Sequence, residues 1–142
     1  MTLKDLIEQK NRELVTITPG ASVLSAIRLM CEHKVGALLV MSDDGRLAGI
    51  LTERDILLYC ANHGGELEST TIGTIMTKDL ITAPPDCSAE EAMTLMTERR
   101  FRHLPIIEEG KPTGMISIGD LVKARLKDIT VEVKYLRDYI SA

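Results

Sequence analysis

The sequence predicts an α+β fold made of two β-α-β-β-α units packed against each other, and three observations carry that reading. The same order of strand-length apolar runs, helical stripes and turn residues occurs twice along the 142 residues. Each copy sets a hydroxyl three residues before an aspartate at a strand-to-helix corner, Thr52 before Asp55 and Ser117 before Asp120. Each unit is also too small to bury its own apolar face, so the two are expected to share a core.

The totals fit such a protein and exclude several others. Hydrophobic residues make up 44% and charged residues 27%, the balance of a folded chain. With one Phe, three Tyr and no Trp, the core must be aliphatic, and base stacking on an aromatic platform is disfavoured. The formal net charge of −4 and the lack of a long basic run argue against nucleic acid as a partner. No apolar stretch reaches membrane-spanning length, the first residues lack signal-peptide anatomy, and three Cys fit reduced thiols. The expectation is a soluble cytoplasmic protein without a membrane partner.

Residues Leu3 to Leu14 show helical spacing of Leu3, Leu6, Ile7 and Leu14. Val15 to Thr18 is a short strand stopped by Pro19-Gly20. Ser22 sits at an N-cap position, and Val23, Ala26, Ile27, Met30 and Cys31 line one helix face that Gly36 should end. Ala37 to Met41 is a strand, Asp43-Asp44-Gly45 a hairpin turn, and Leu47 to Leu51 the return strand. The next helix should start near Asp55, and His63 to Ser69 is a linker.

The order then returns. Ile81-Thr82-Ala83 is a strand broken by Pro84-Pro85, and Ser88 with Glu91 forms a capping box before the Ala89, Ala92, Met93 and Met96 stripe. Leu104 to Ile107 and Met115-Ile116 flank the Glu109-Gly110 turn, and Asp120 opens a last helix. At an offset of 66, Thr16, Pro19, Ser22, Ala26, Met30, Glu32 and Leu38 face Thr82, Pro85, Ser88, Ala92, Met96, Glu98 and Leu104. Past the shorter second hairpin the offset is 65, where Gly45, Gly49 and Asp55 face Gly110, Gly114 and Asp120. The expected division is 8–64, 74–130 and a helical tail at 131–142, with Ile129, Val133, Leu136 and Ile140 at helical spacing.

These motifs resemble the cystathionine-β-synthase-type (CBS) domain, in tandem as a Bateman module. The marks are Val15-Thr16-Ile17-Thr18-Pro19, Gly36-Ala37-Leu38-Leu39-Val40 and Gly49-Ile50-Leu51-Thr52-Glu53-Arg54-Asp55. The second unit adds Arg102-His103-Leu104-Pro105-Ile106 and Gly114-Met115-Ile116-Ser117-Ile118-Gly119-Asp120. The resemblance covers about residues 8–130 and implies a pseudo-two-fold pair with two clefts. It implies adenosine ligands (AMP, ADP or ATP, sometimes NAD or S-adenosylmethionine) and a disc-shaped homodimer, as in the small stand-alone members.

The family assigns Thr52, Asp55, Ser117 and Asp120 to ribose and phosphate. A carboxylate suits a ribose because it accepts from both hydroxyls at once, and a helix N-terminus favours phosphate. The alternative is a simple helix cap, worth about 1 kcal/mol without any ligand. Thr16, Ile17, Ala37 and Leu38 are candidates for one adenine slot, and Thr82, Ala83, Leu104 and Pro105 for the other. For Leu38 and Leu104, ordinary sheet core stays an even alternative. Arg102 and His103 resemble the family's phosphate-facing basic residues, with Arg54 a partial counterpart in the first unit, where Gly36-Ala37 replaces them. Arg99 and Arg100 fit a solvated helix end.

No zinc spacing, nucleophile–base order or Gly-rich phosphate loop is present, so the expectation is a ligand sensor with no catalytic cofactor, and not an enzyme. It would sense energy state and signal by shape or by a regulated protein partner. The rivals are an NAD(H) or S-adenosylmethionine sensor and a constitutive interaction subunit without a ligand. If His103 meets phosphate, binding should tighten as pH falls from about 8 to 6.

Overall fold

The computed structural model describes residues 1–141. In chain order its elements are α1 (Leu3–Lys10), β1 (Thr16–Ile17), α2 (Val23–His33), β2 (Ala37–Met41), β3 (Leu47–Thr52) and α3 (Glu53–His63). There follow α4 (Ile72–Ile75), α5 (Ala89–Arg99), β4 (His103–Glu108), β5 (Lys111–Ser117) and α6 (Ile118–Ser141). The first sheet runs β1-β2-β3, with β1 parallel to β2 and β2 antiparallel to β3. The second sheet is the β4-β5 hairpin.

The strand expected at Ile81–Ala83 is reduced to one parallel bridge, Ala83 with Ile106. The Ala83 N–H donates to Pro105 and the Ile107 N–H donates to Ala83. Extending that ladder either way would need an N–H from Pro85 or Pro105, and proline has none. In the first unit Leu39 stands where Pro105 does, and β1 gains a second paired residue, Thr16 with Leu39.

The expected long first helix stops at Lys10, where Asn11 turns left-handed at φ 43°. Nor does Gly36 end α2: Lys34 does, at φ 55°, as Arg100 ends α5 at φ 57°. Half of the expected capping box at α5 forms. Ser88 accepts from the Glu91 N–H, but the Glu91 carboxylate turns to the Cys87 thiol. The short α4 was not anticipated, because four residues carry too little periodicity to be seen.

Each unit's leading helix docks on the other unit. The Leu3 and Lys4 N–H groups of α1 donate to Cys87 and Pro85, both at 2.9 Å. The Ile72 and Gly73 N–H groups of α4 donate to Ala21 and Pro19, also at 2.9 Å. Leu3 and Leu6 lie in the second unit's core with Ala92, Met96, Leu104, Ile106, Ile116 and Leu121. Ile72 lies in the first unit's core with Ala26, Met30, Leu38, Val40 and Leu51. Full burial of a leucine stabilises by roughly 1.5–3 kcal/mol, so the exchange ties the units firmly. A third cluster joins them directly, with Ala37, Leu39 and Ile50 packed by Leu47, Leu80 and Met115.

The last helix of the second unit and the expected tail form one continuous helix of 24 residues, in which Leu121 is the buried one. Ala142, the last residue of the expected tail, lies outside the described residues. Among the described residues no helix is long and apolar enough to cross a membrane.

Candidate functional site

At both strand-to-helix corners the hydroxyl is the N-cap and the aspartate reaches back to it. The Ser117 N–H donates to Asp120 Oδ2 at 2.9 Å, and the Asp120 N–H donates to Ser117 Oγ at 3.1 Å. Thr52 and Asp55 repeat this at 2.9 and 3.2 Å. The helices therefore begin two residues before the aspartates and not at them. Sequence reasoning missed a third copy, Thr2 with Asp5 at the start of α1, at 2.9 and 3.3 Å. The pattern is thus a capping box first, and a carboxylate's surroundings must decide whether it does more.

Those surroundings single out Asp120. Lys10 Nζ lies 3.0 Å from its Oδ2, with the two side chains 29% and 27% exposed. Burial pushes the Asp120 pKa up, but the Ser117 N–H, Lys10 and the Ser117 hydroxyl outweigh it, and the carboxyl is held below its ordinary value. The bonds from Lys10 and the Ser117 N–H both fall on Oδ2, and Oδ1 has no hydrogen-bond partner among the described residues. Asp55 instead takes the Thr77 hydroxyl on both oxygens, at 3.1 and 3.4 Å.

Asp120 opens onto a cavity of about 760 Å³ between the units, a size that suits a nucleotide-sized ligand. Ser117, His103 and Met115 line it from the second unit, and Lys34 to Ala37 from the first. Lys10, Arg12, Lys34, Lys123 and Lys127 bring five cationic side chains to it against the single carboxylate of Asp120. In a chain of net charge −4 this is a strong local positive field, and a partly enclosed cleft focuses it. These cations come from α1, the segment after it, the α2 cap and α6, so no local run of sequence marks them. The available signal was the spacing of Asp120, Lys123 and Lys127 on one face of a helix.

Gly36 lies where the two units meet. A Cβ there would lie 3.0 Å from Glu53 Oε1 and 3.7 Å from His103 Nε2. The non-equivalent Gly36-Ala37 and Arg102-His103 segments are thus neighbours across the two units, with His103 in contact range of Gly36. Burial is the largest influence on His103 and lowers its pKa; Glu53 and Asp120 pull it up, Lys10 and Arg102 down. The net effect is a histidine held below its ordinary value of 6.5, so the expected pH window of 8 to 6 must shift lower.

The cavity brings together four of the residues singled out in the sequence, Ala37, His103, Ser117 and Asp120. Leu38 and Leu104 are fully buried in the two sheet cores, which leaves a ligand at most their main chain. Ala37, Ala83 and Pro105 are buried as well, and the Ala83 amide and carbonyl are committed to the sheet. Thr16, Thr82, Arg54 and Arg102 are exposed, Ile17 is half-buried on β1, and none of these lines the cavity. Thr52 and Asp55 sit at the other corner with Thr77. Arg99 and Arg100 are exposed at the end of α5, as a solvated helix end should be.

Comparison with known proteins gives the arrangement its relatives. The CBS domain family model matches residues 2–62 and again 72–127. The mitochondrial CBS domain-containing protein CBSX3 of Arabidopsis thaliana is 37% identical over 98% of this chain and 71% of its own length. The crystal structure of a CBS-domain containing protein from Agrobacterium tumefaciens superposes with a TM-score of 0.84 at 38% identity, covering 88% of this chain and 99% of that one. A CBS domain pair solved in complex with 5-methylthioadenosine and S-adenosyl-L-methionine shares the fold at a TM-score of 0.80 and 22% identity, over 90% of this chain and 98% of its own.

Proposed function

The chain belongs to the CBS domain family, in two repeats that span nearly its whole length, and from that premise we propose that it is a regulatory module that binds an adenosine nucleotide in the basic cavity. The observation that carries the proposal is the convergence of Lys10, Arg12, Lys34, Lys123, Lys127 and His103 on the Ser117–Asp120 corner. Phosphates meet the cations and the start of α6, where the positive end of the helix dipole favours negative charge. The ribose hydroxyls meet Asp120 Oδ1 and the Ser117 hydroxyl. The main chain at Val35 to Ala37, beside Met115, receives the base. The pair solved with 5-methylthioadenosine and S-adenosyl-L-methionine supports room for an adenosine ligand in this fold.

The charge of the site selects among such ligands. AMP, ADP and ATP carry anionic phosphate into a field of five cations, whereas S-adenosylmethionine would bring a further positive charge at its sulfonium. NAD(H) is the second reading, because its pyrophosphate suits the same cations and the cavity volume admits it. The Thr52, Arg54 and Asp55 corner is a weaker second site, since Thr77 already occupies its carboxylate.

Ligand binding would signal by linkage. The cavity is walled by both units and by α6, so a ligand that prefers one relative placement shifts the population toward it, and a protein partner reads that placement. The sites serve regulation and not catalysis, in the cytoplasm or another reducing compartment suited to three free thiols. Two copies would associate through the apolar groove of Ile27, Met30, Ile56 and Leu57 and its repeat counterpart around Met93 and Leu121. Calorimetric titration with AMP, ATP, NADH and S-adenosylmethionine tests the reading. Binding of the anionic nucleotides but not the sulfonium supports it, and no binding by any of the four favours a constitutive interaction subunit.

A further inference from the structure

Leu121 is the last buried residue of α6; beyond it Ala124 packs partly buried on the core and no residue is buried. Yet Val122, Leu126, Ile129, Val133, Leu136 and Ile140 are all apolar and between 40% and 82% exposed. Their separations alternate four and three, the period of a coiled-coil seam and not of a helix lying on a globular core. This segment also holds Ile129, Thr130, Val131 and Val133, β-branched residues that lower helix propensity. A solvent-exposed helix of this composition gains little from propensity, because amphipathic helices draw most of their stability from packing their apolar face.

We propose that Val122 to Ile140 of α6 pairs with the same segment of a second copy as a parallel, in-register coiled coil. This rests on the dimer reading above and adds to its grooves a second surface with a stated orientation. The charges flanking the seam argue for a second copy and set its direction. In the heptad, Leu126, Val133 and Ile140 take the first core position, and Val122, Ile129 and Leu136 the second. Lys123, Thr130 and Arg137 then flank one side, and Arg125, Glu132 and Tyr139 the other. A parallel pair places Glu132 of each copy beside Arg137 of the other, twice over, and these are opposite charges. An antiparallel pair would set Glu132 against Glu132 and Lys123 against Arg137, like charges throughout. Val133 and Ile140 at the first core position with Leu136 at the second also fit two parallel strands, whereas Leu126 with Ile129 does not, so the flanking charges carry the direction.

The seam is short for an independent coiled coil, but its helix does not have to nucleate alone. The Ser117–Asp120 capping box and the burial of Leu121 fix the first turn on the body. The same helix lines the basic cavity with Lys123 and Lys127. One rigid element therefore has the cavity on one face and the seam on another.

The test is analytical ultracentrifugation of the full chain and of Glu132→Arg, Arg137→Glu and the doubly reversed protein, with circular dichroism to confirm folding. All the changed residues are exposed, so the body should stay folded. Each single reversal is expected to weaken the dimer about tenfold or more, because two attractive pairs become repulsive, and the double reversal should restore it. Ile129→Cys, in a background where Cys31, Cys60 and Cys87 are Ser, should oxidise to a disulfide-linked dimer, which only the parallel register allows. A monomer at tens of micromolar overturns the seam and the dimer together. A dimer indifferent to the single reversals, not recovered by the double one, or unlinked through Ile129→Cys, overturns the seam and leaves association through the α2–α3 and α5–α6 grooves standing.

Discussion

Replacing Asp120 with Ala separates what this carboxylate does for the fold from what it does for a ligand. For the fold, Asp120 accepts the Ser117 N–H at 2.9 Å and the Lys10 ammonium at 3.0 Å. Loss of a capping interaction costs about 1 kcal/mol, and a partly exposed ion pair adds about 0.5 kcal/mol. For a domain of this size that lowers Tm by roughly 4–8 °C. For the ligand the two possible roles have opposite signs. If Asp120 is only a cap and counter-ion, its removal frees Lys10 and makes the cavity more positive, so every phosphate compound should bind as well or better. If it accepts the ribose hydroxyls, a nucleoside phosphate loses charge-assisted hydrogen bonds worth about 1.5–3 kcal/mol, or ten- to a hundred-fold in affinity. Inorganic tripolyphosphate, which has no ribose, should not weaken. The assay is calorimetric titration of wild type and Asp120→Ala with ATP and with tripolyphosphate. Parallel behaviour of the two compounds would refute the ribose assignment.

Other perturbations follow from the same geometry. Lys123→Glu with Lys127→Glu should weaken ATP by at least tenfold while leaving Tm within about 2 °C, since both are exposed helix residues. Burial lowers the His103 pKa, so its neutral form is the one the fold prefers. Stability from this group is complete above the unfolded value near 6.5 and is lost as pH falls through the folded value. A phosphate beside it reverses the preference, so nucleotide affinity should keep rising as pH falls below about 6.5. His103→Gln should flatten that rise, with adenosine as the control for phosphate protonation. Gly49→Ala and Gly114→Ala test the exchanged helices. A Cβ at Gly49 would lie 2.8 Å from the Thr77 carbonyl oxygen and from the Met76 sulfur, and one at Gly114 would lie 2.8 Å from Ile7 Cδ1. Both should destabilise by roughly 1–3 kcal/mol, Gly49→Ala the more, because main chain yields less than an isoleucine side chain. Equal losses in urea unfolding would contradict that account.

The repeat made the fold legible. Equivalent residues such as Pro19 and Pro85, or Ala26 and Ala92, occupy equivalent places because each unit solves the same packing problem. What stayed hidden was non-local or too short to be periodic. The exchange of α1 and α4 depends on main-chain bonds to Cys87 and Ala21, and neither sequence position signals it. The weak strand at Ala83 turned on Pro105, a residue more than twenty positions away. At the site, the hydroxyl–aspartate corner was visible, but its immediate role is a helix cap, as the third copy at Thr2 and Asp5 shows. Of Lys10, Arg12, Lys34, Lys123 and Lys127, only the spacing of the last two with Asp120 left a trace in the sequence, and the tertiary fold alone collects all five. His103 was found, yet its protonation could not be, since that depends on burial and on Glu53 and Lys10 from other elements.

The most direct measurement is a calorimetric titration of the purified chain with ATP, repeated with the Lys123→Glu, Lys127→Glu protein. The account predicts saturable binding to wild type, weakened at least tenfold in the variant while its melting temperature is nearly unchanged. Wild-type binding that the variant retains in full would place the nucleotide outside this cavity and contradict the assignment.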